Sequence, residues 1–467
     1  MFEEEEEEEE FYQDDFTADI EAFNTMYKNG TFQYMDGDKL EMIIDHFMMS
    51  NAYSKARWGI DNALINFPFS TTFKLRKAQI LSALGELKEA LETLTEIEKL
   101  EGLSLELILT KAACFNQLRD SKSAIKYFKL ALDFSEPDER DEIYLDLALE
   151  YQNVSDHKSA ISVLKEAIKQ NPKNEVAVYE LAFCHDQIGD YQNAIQSFKK
   201  YIDENPYSFT AWYNLANAYL KVENYEKAIW AYDYSIIIND DFPPALFNLG
   251  NAYLSFGKVQ KALECFEKCL EIEGEDGLIL SYMGECYEEL GELDLALNCY
   301  KRSTTVAPHL GDAWLGLGIV KDLQGHTAEA IKLVERAIEL TPENASYYHV
   351  LAGVYEKIPE FDKAIEAYRV GTEMDPKNED MLIDYFKLLV EYNPSLVEEL
   401  WLLSPEFQYS KELDVIRIYA FWLCNNTVDS ILLLDKLVLM DIDLAKKLFL
   451  HFPEAKNIED FTHRILD

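Results

Sequence analysis

An alanine returns along this chain at Ala56, Ala90, Ala124, Ala160, Ala194, Ala228, Ala262, Ala296, Ala330 and Ala364. Every step is 34 residues except the 36 between Ala124 and Ala160. A period of that length belongs to supersecondary units that cannot bury an apolar face alone and must stack on their neighbours. The period outranks length as a guide, because 467 residues would otherwise suggest several separate domains. It predicts one long stack of repeats.

With the alanine set at position 20, ten repeats begin at residues 37, 71, 105, 141, 175, 209, 243, 277, 311 and 345. Position 8 is small as well: Ala78, Ala112, Ala148, Ala182, Ala216, Gly250, Gly284, Gly318 and Ala352, with Ile44 the exception. Two helices that cross closely need small side chains where their axes meet. Large residues surround that crossing. Position 4 has Tyr144, Val178, Trp212, Leu246, Leu280, Trp314 and Tyr348. Position 7 has Leu147, Leu181, Leu215, Leu249, Met283, Leu317 and Leu351. Position 11 has Phe47, Phe115, Tyr151, Tyr219, Tyr253, Tyr287 and Tyr355, with His185 in the same slot. The spacing puts all three on one helical face. On the second helix, position 24 holds Phe128, Phe198, Tyr232, Phe266, Tyr300 and Tyr368. Glycine at position 15 (Gly85, Gly189, Gly257, Gly291, Gly325) marks the turn between the helices, where a left-handed residue is needed. Proline at position 32 (Pro68, Pro172, Pro206, Pro308, Pro342, Pro376) stops the second helix.

This pattern resembles the tetratricopeptide repeat, a helix-turn-helix unit of 34 residues, over residues 37–378. The stretches AWYNLANAYLKVENYEKAIWAYDYSIII and ALFNLGNAYLSFGKVQKALECFEKCLEI carry it best. The first two repeats depart from it, with Lys74 and Lys77 where an aromatic and a leucine are usual. The resemblance implies an all-α fold, a right-handed α-solenoid whose first helices line a concave groove.

Two flanks lie outside the pattern. Residues 1–36 join an acidic run, Glu3–Glu10, to a leading helix marked by Phe16, Ile20, Phe23 and Tyr27. The run is expected to be a disordered, solvated tail and the helix to cover the first repeat. Residues 379–467 keep helical periodicity but lose the 34-residue signature. They are expected to be degenerate repeats that cap the stack. Trp401, Phe407, Trp422 and Phe449 would serve a cap or a dimerisation module equally.

Net charge is −43, with −12 on residues 1–36, −9 on 379–467 and −22 on the repeats. Such a chain repels nucleic acid and anionic membrane surfaces and favours a basic or neutral protein partner. No apolar run reaches the length of a membrane span; residues 430–440 are broken by Asp435 and Lys436. MFEEEEEEEE is the opposite of a secretory leader, and seven cysteines without a CxxC fit reduced thiols, so a cytoplasmic protein is expected.

No motif for catalysis or nucleotide binding is present, and neither a metal nor a cofactor is expected. Gly316 and Gly318 form a lone GxG inside a helix, where packing explains them. Cys265, Cys269, Cys286 and Cys299 fall at inward-facing positions or lack the short spacing of a zinc site. The eight histidines form no pair at ligand spacing.

Groove positions that the resemblance implies give Tyr179, Glu180, Phe183, Asp186 and Gln187 from the repeat at 175. The next repeats give Tyr213, Asn214, Asn217 and Lys221, then Phe247, Asn248 and Asn251, then Tyr282, Glu285, Glu288 and Glu289. Two Asn-x-x-Asn steps stand out, because a primary amide both donates to and accepts from a peptide backbone. They resemble the asparagine ladder in the repeat domain of the O-linked N-acetylglucosamine transferase, although no glycosyltransferase domain is recognisable here. The carboxylate clamp of heat-shock co-chaperones is not matched: its Lys, Lys and Arg slots hold Tyr213, Leu278 and Tyr282. The expectation is a non-enzymatic adaptor that holds an extended, basic or neutral segment of another protein. The alternative is an assembly protein forming a homodimer through its C-terminal helices.

Overall fold

The computed structural model describes residues 2–403 and 411–466, with backbone alone for residues 2–15, 402 and 403. Among the described residues there is no β-strand. The first helices of the ten repeats are Gly37–Met49, Thr71–Ala83, Leu105–Gln117, Arg140–Asn153, Glu175–Gln187, Phe209–Lys221, Pro243–Ser255, Gly277–Glu289, Gly311–Leu323 and Ala345–Lys357. All but Arg140–Asn153 begin on the residue at which the alanine register opens a repeat. Each is followed by a second helix, from Tyr53–Asn66 to Phe361–Met374.

The alanine that sets the register is buried in all ten second helices. The small residue opposite is needed for clearance. A Cβ on Gly250 would lie 2.6 Å from the Phe266 ring, one on Gly284 2.6 Å from Tyr300, and one on Gly318 2.6 Å from Val334. The first repeat reverses the sizes. Ile44 is buried at position 8, and the facing second helix supplies Gly59, whose added Cβ would meet Ile44 at 3.1 Å and Phe23 at 3.0 Å. The isoleucine that departs from the sequence pattern is therefore answered from across the crossing.

The long step between Ala124 and Ala160 has an equally local cause. After Ser121–Phe134 the chain makes a 3-10 turn, Pro137–Glu139, that leads directly into Arg140–Asn153. Glu136 and Glu139 close this turn with a reciprocal capping box. The turns inside the repeats share one geometry. Gly85, Gly189, Gly257, Gly291 and Gly325 have positive φ, and Asn51, Arg119, Ser155 and Glu223 take the same left-handed conformation without being glycine. Position 15 is thus a backbone requirement, and glycine is only its least strained solution.

The contact pattern divides the chain into two compact units, Met1–Asn239 and Asp240–Asp467. Each is a stretch of right-handed α-solenoid, in which every helix packs on its sequence neighbours. First helices also touch first helices: Thr71–Ala83 with Leu105–Gln117 and Glu175–Gln187 with Phe209–Lys221 in the first unit, Gly277–Glu289 with Gly311–Leu323 in the second. Within each unit these helices form a layer of their own, and the candidate residues lie on those layers.

In the first unit a helix Phe2–Asn29 precedes the repeats. Where solvation of a carboxylate run predicts a disordered tail for Glu3–Glu10, the run lies within this helix; glutamate is a good helix former, and negative charge is favoured in a first turn. Phe23 is fully buried, 5.2 Å from the Phe47 ring and 5.3 Å from Trp58. In the second unit Glu379–Tyr392 follows the tenth repeat at the same spacing, and the helices Ser395–Leu403, Lys411–Leu423 and Thr427–Met440 come after it. Trp401 and Phe449 are buried there, and Trp422 packs edge-on against Phe461 at 4.9 Å. The Arg417 guanidinium sits 4.6 Å over the Trp401 ring while chelated by Glu398 at 2.8 and 3.0 Å. Phe407 and the Ser404-Pro405 break lie outside the described residues. No helix among the described residues is long and apolar enough to cross a membrane.

Candidate functional site

In the first unit the candidate residues stand on Glu175–Gln187 and Phe209–Lys221. Two helical turns hold about seven side chains, which cannot all face the core, so positions 5, 6, 9, 12 and 13 are left to the first-helix layer. Tyr179 and Phe183 are 41% and 48% exposed, a large apolar surface for one face of a single helix. Phe183 leans edge-on against His157 at 6.2 Å. Glu180 is half-buried and accepts from the Gln152 amide at 2.7 Å. Asp186 accepts from the Tyr191 hydroxyl at 3.1 Å and lies 3.9 Å from the Lys221 ammonium. Both carboxylates are thus partly engaged within the protein. The Lys221 pair is exposed and stabilises little.

Asn214 and Asn217, alike in sequence, are placed differently. Asn217 accepts from the Tyr232 hydroxyl, which holds its amide plane, and the Tyr232 ring lies 6.0 Å from Tyr213. Asn214 is 5% exposed, yet its Nδ2 is buried without a hydrogen-bond partner. An amide donor in that state costs about 1–3 kcal/mol.

In the second unit the residues stand on Pro243–Ser255 and Gly277–Glu289. Phe247, Phe266 and Tyr282 form an aromatic cluster: Phe247 meets Tyr282 edge-on at 5.4 Å, and Phe266 stacks on Tyr282 at 5.6 Å. Asn248 and Asn251 are half-buried beside it, and the Asn251 Oδ1 is buried without a partner. Glu288 accepts from the Tyr300 hydroxyl at 3.2 Å. Glu285 and Glu289 are exposed. Desolvation raises the pKa of Glu285, and the charges of Glu289 and Asp312 raise it further. Desolvation raises Glu288 as well, against the lowering effect of the Tyr300 hydrogen bond. These carboxylates would hold a cation more readily than they hold their own charges together.

The residues set aside as packing behave as such. A Cβ on Gly316 would fall 2.3 Å from the Tyr300 ring. Cys265, Cys269, Cys286 and Cys299 are buried, and the Cys269 thiol donates to the Pro243 carbonyl at 3.7 Å. Burial pushes the Cys269 and Cys286 thiols up to about 12. His185 is 2% exposed with neither ring nitrogen hydrogen-bonded. Its pKa is lowered, first by desolvation and then by Lys165. Among the described residues no cluster of three metal-ligating side chains is found.

Comparison with known proteins follows the same repeat. Family models described as tetratricopeptide repeat match residues 243–276, 275–343 and 322–379. A model described as anaphase-promoting complex, cyclosome, subunit 3 matches 117–201 and 168–235. No curated protein matches the sequence. Among solved structures, the chain is similar to a tetratricopeptide repeat protein from Parabacteroides merdae, at 19% identity and TM-score 0.45, covering 54% of this chain and 98% of that one. It is also similar to a chain of the APC/C hetero-tetramer Cut9-Hcn1, at 14% identity and TM-score 0.44, covering 88% and 95%. A third is YrrB, a TPR protein with an unusual peptide-binding site, at 24% identity and TM-score 0.31, covering 40% and 95%.

Proposed function

Because the chain belongs to the tetratricopeptide repeat family, with about ten repeats, we propose that it is a non-enzymatic scaffold that holds an extended segment of another protein on its first-helix layer. The observation that carries this reading is the buried Nδ2 of Asn214, which has no hydrogen-bond partner. Buried polar groups in folded proteins are nearly always hydrogen-bonded, so this donor is suited to an acceptor that reaches it when the side chains covering it shift on binding. A peptide carbonyl is such an acceptor. In the second unit the orphaned Oδ1 of Asn251 suits a peptide N–H in the same way. Tyr179 and Phe183 in the first unit, and Phe247 and Tyr282 in the second, offer ring surface to apolar side chains. The Glu285, Glu288 and Glu289 group favours a segment that carries lysine or arginine. The match of residues 117–235 to a subunit of a large assembly fits a scaffold at that level of description.

The test is a pull-down with the wild-type chain and an Asn214→Ala, Asn251→Ala double variant, followed by trimming of the captured protein to its bound segment. The segment should bind the variant about tenfold more weakly, the equivalent of one or two lost hydrogen bonds. Equal binding would remove the asparagines from the site.

A second reading rests on the C-terminal helices. Leu432, Leu439, Met440 and Leu450 are 61%, 88%, 61% and 74% exposed, which suits self-association through that region.

A further inference from the structure

The two layers of the first unit differ in charge. Three successive second helices, Ser121–Phe134, His157–Gln170 and Tyr191–Glu204, carry eight lysines against four acidic residues. The first helices that alternate with them, Leu105–Gln117, Arg140–Asn153 and Glu175–Gln187, carry eight acidic residues against two basic ones. In a chain of net charge −43, the second-helix face of these repeats is therefore a basic island. A cavity of about 350 Å³ opens on it, within the range for ligand pockets of about 300–1,000 Å³. Lys165 and Lys169 come to it from His157–Gln170, and Lys200 from Tyr191–Glu204. All three are exposed, and Lys165 and Lys200 are in no ion pair among the described residues. Lys169 lies 3.2 Å from Glu166, and Glu204 is the one acid in the cavity wall.

The cavity is also a gap in the packing, which is independent of the lysines. Its floor is Val178, Leu181, Phe198 and the ring of Tyr201, whose hydroxyl donates to the Pro172 carbonyl. These residues sit on Glu175–Gln187 and Tyr191–Glu204, the helix pair whose members approach each other least of the ten. The position-8 residue shows the same parting. It is buried in nine repeats, and only Ala182, in this one, is half-buried. Protein interiors are close-packed, and side chains that line a void lose dispersion contacts. An apolar side chain from outside would restore them.

We propose that this cavity receives a large apolar side chain, leucine or phenylalanine, from an acidic segment of a partner protein. The side chain fills the gap between the parted helices, while carboxylates on either side of it meet Lys165, Lys169 and Lys200 at the rim. Charge complementarity selects the segment, because a neutral one gains nothing from the three ammonium groups and a basic one is repelled by them. The site lies on the second-helix face and rests on different side chains from Asn214 and Asn251, so it stands or falls separately from the asparagine site.

The test is fluorescence anisotropy on the full chain with a labelled heptapeptide, one phenylalanine flanked by three aspartates on each side. Saturable binding that weakens with salt is expected. The same peptide with alanine at its centre should bind about tenfold more weakly, having lost the apolar anchor. Lys165→Ala combined with Lys200→Ala should weaken binding about fivefold, while Lys301→Ala, an exposed lysine of the second unit, should leave it unchanged. Ser197→Trp, which fills the cavity from its half-buried wall, should remove the preference for phenylalanine over alanine, and thermal melting checks that each variant is folded. No binding up to about 1 mM, equal binding of the alanine peptide, a preference retained in Ser197→Trp, or an equal loss in Lys301→Ala would overturn the proposal. Tighter binding of phosphatidylserine vesicles, or of a peptide of residues 1–12 of this chain, would overturn its assignment to a partner protein.

Discussion

At the scale of single residues, this chain leaves a few buried polar atoms without partners. His185 occupies the position that most other repeats give to tyrosine or phenylalanine, and both of its ring nitrogens are orphaned. Because burial lowers its pKa, the unfolded chain takes up the proton first on acidification. The stability that neutral His185 allows is complete above the ordinary histidine range and is lost as pH falls through that range. His185→Phe should therefore stabilise the protein by about 1–2 kcal/mol near neutrality, and by more below pH 6. Urea midpoints at two pH values would check both the sign and the widening. Nothing in the sequence marked which polar core positions would be orphaned. His185 was legible as a core residue from its register, and Asn214 and Asn217 were legible as a pair. That a tyrosine hydroxyl satisfies Asn217, while the Asn214 donor stays open, depends on Tyr232 arriving from the second helix, which spacing along one helix cannot reveal.

At the scale of helices and turns, nearly everything was legible, and for a physical reason. The repeat is held by contacts between sequence neighbours, so register alanines, crossing glycines and helix-stopping prolines all report local geometry. Two features within the repeats were not legible. The exchange of Ile44 for Gly59 keeps the volume of the crossing while breaking the position pattern, because packing conserves summed size and not identity. The left-handed residue at position 15 was visible only where it was glycine. Glu223 and Arg119 adopt it at a steric cost. Glu223→Gly should stabilise by about 0.5–1 kcal/mol, relief of backbone strain exceeding the entropy that glycine adds to the unfolded chain. Thermal melts of this variant beside Gly257→Ala, which should destabilise, would show the turn acting in both directions.

At the scale of the whole molecule, the net charge of −43 separates the two functional readings. A complex with a basic segment draws on opposite charge and should weaken as salt is raised. Association of two copies sets like charge against like and should tighten instead. Light scattering and partner affinity, each followed from about 50 to 500 mM salt across the range where screening becomes strong, should give slopes of opposite sign. A homodimer that loosened with salt would count against association through the exposed C-terminal leucines.

The two additional residues between Ala124 and Ala160 disturb one linker and the first position of one helix, and the next repeat opens back in phase. The chain therefore keeps no running count of its length. Each turn re-establishes the beat for the repeat that follows, much as a bar line does in a score. A sequence so punctuated can gain or lose a whole repeat at any turn without its neighbours being rewritten.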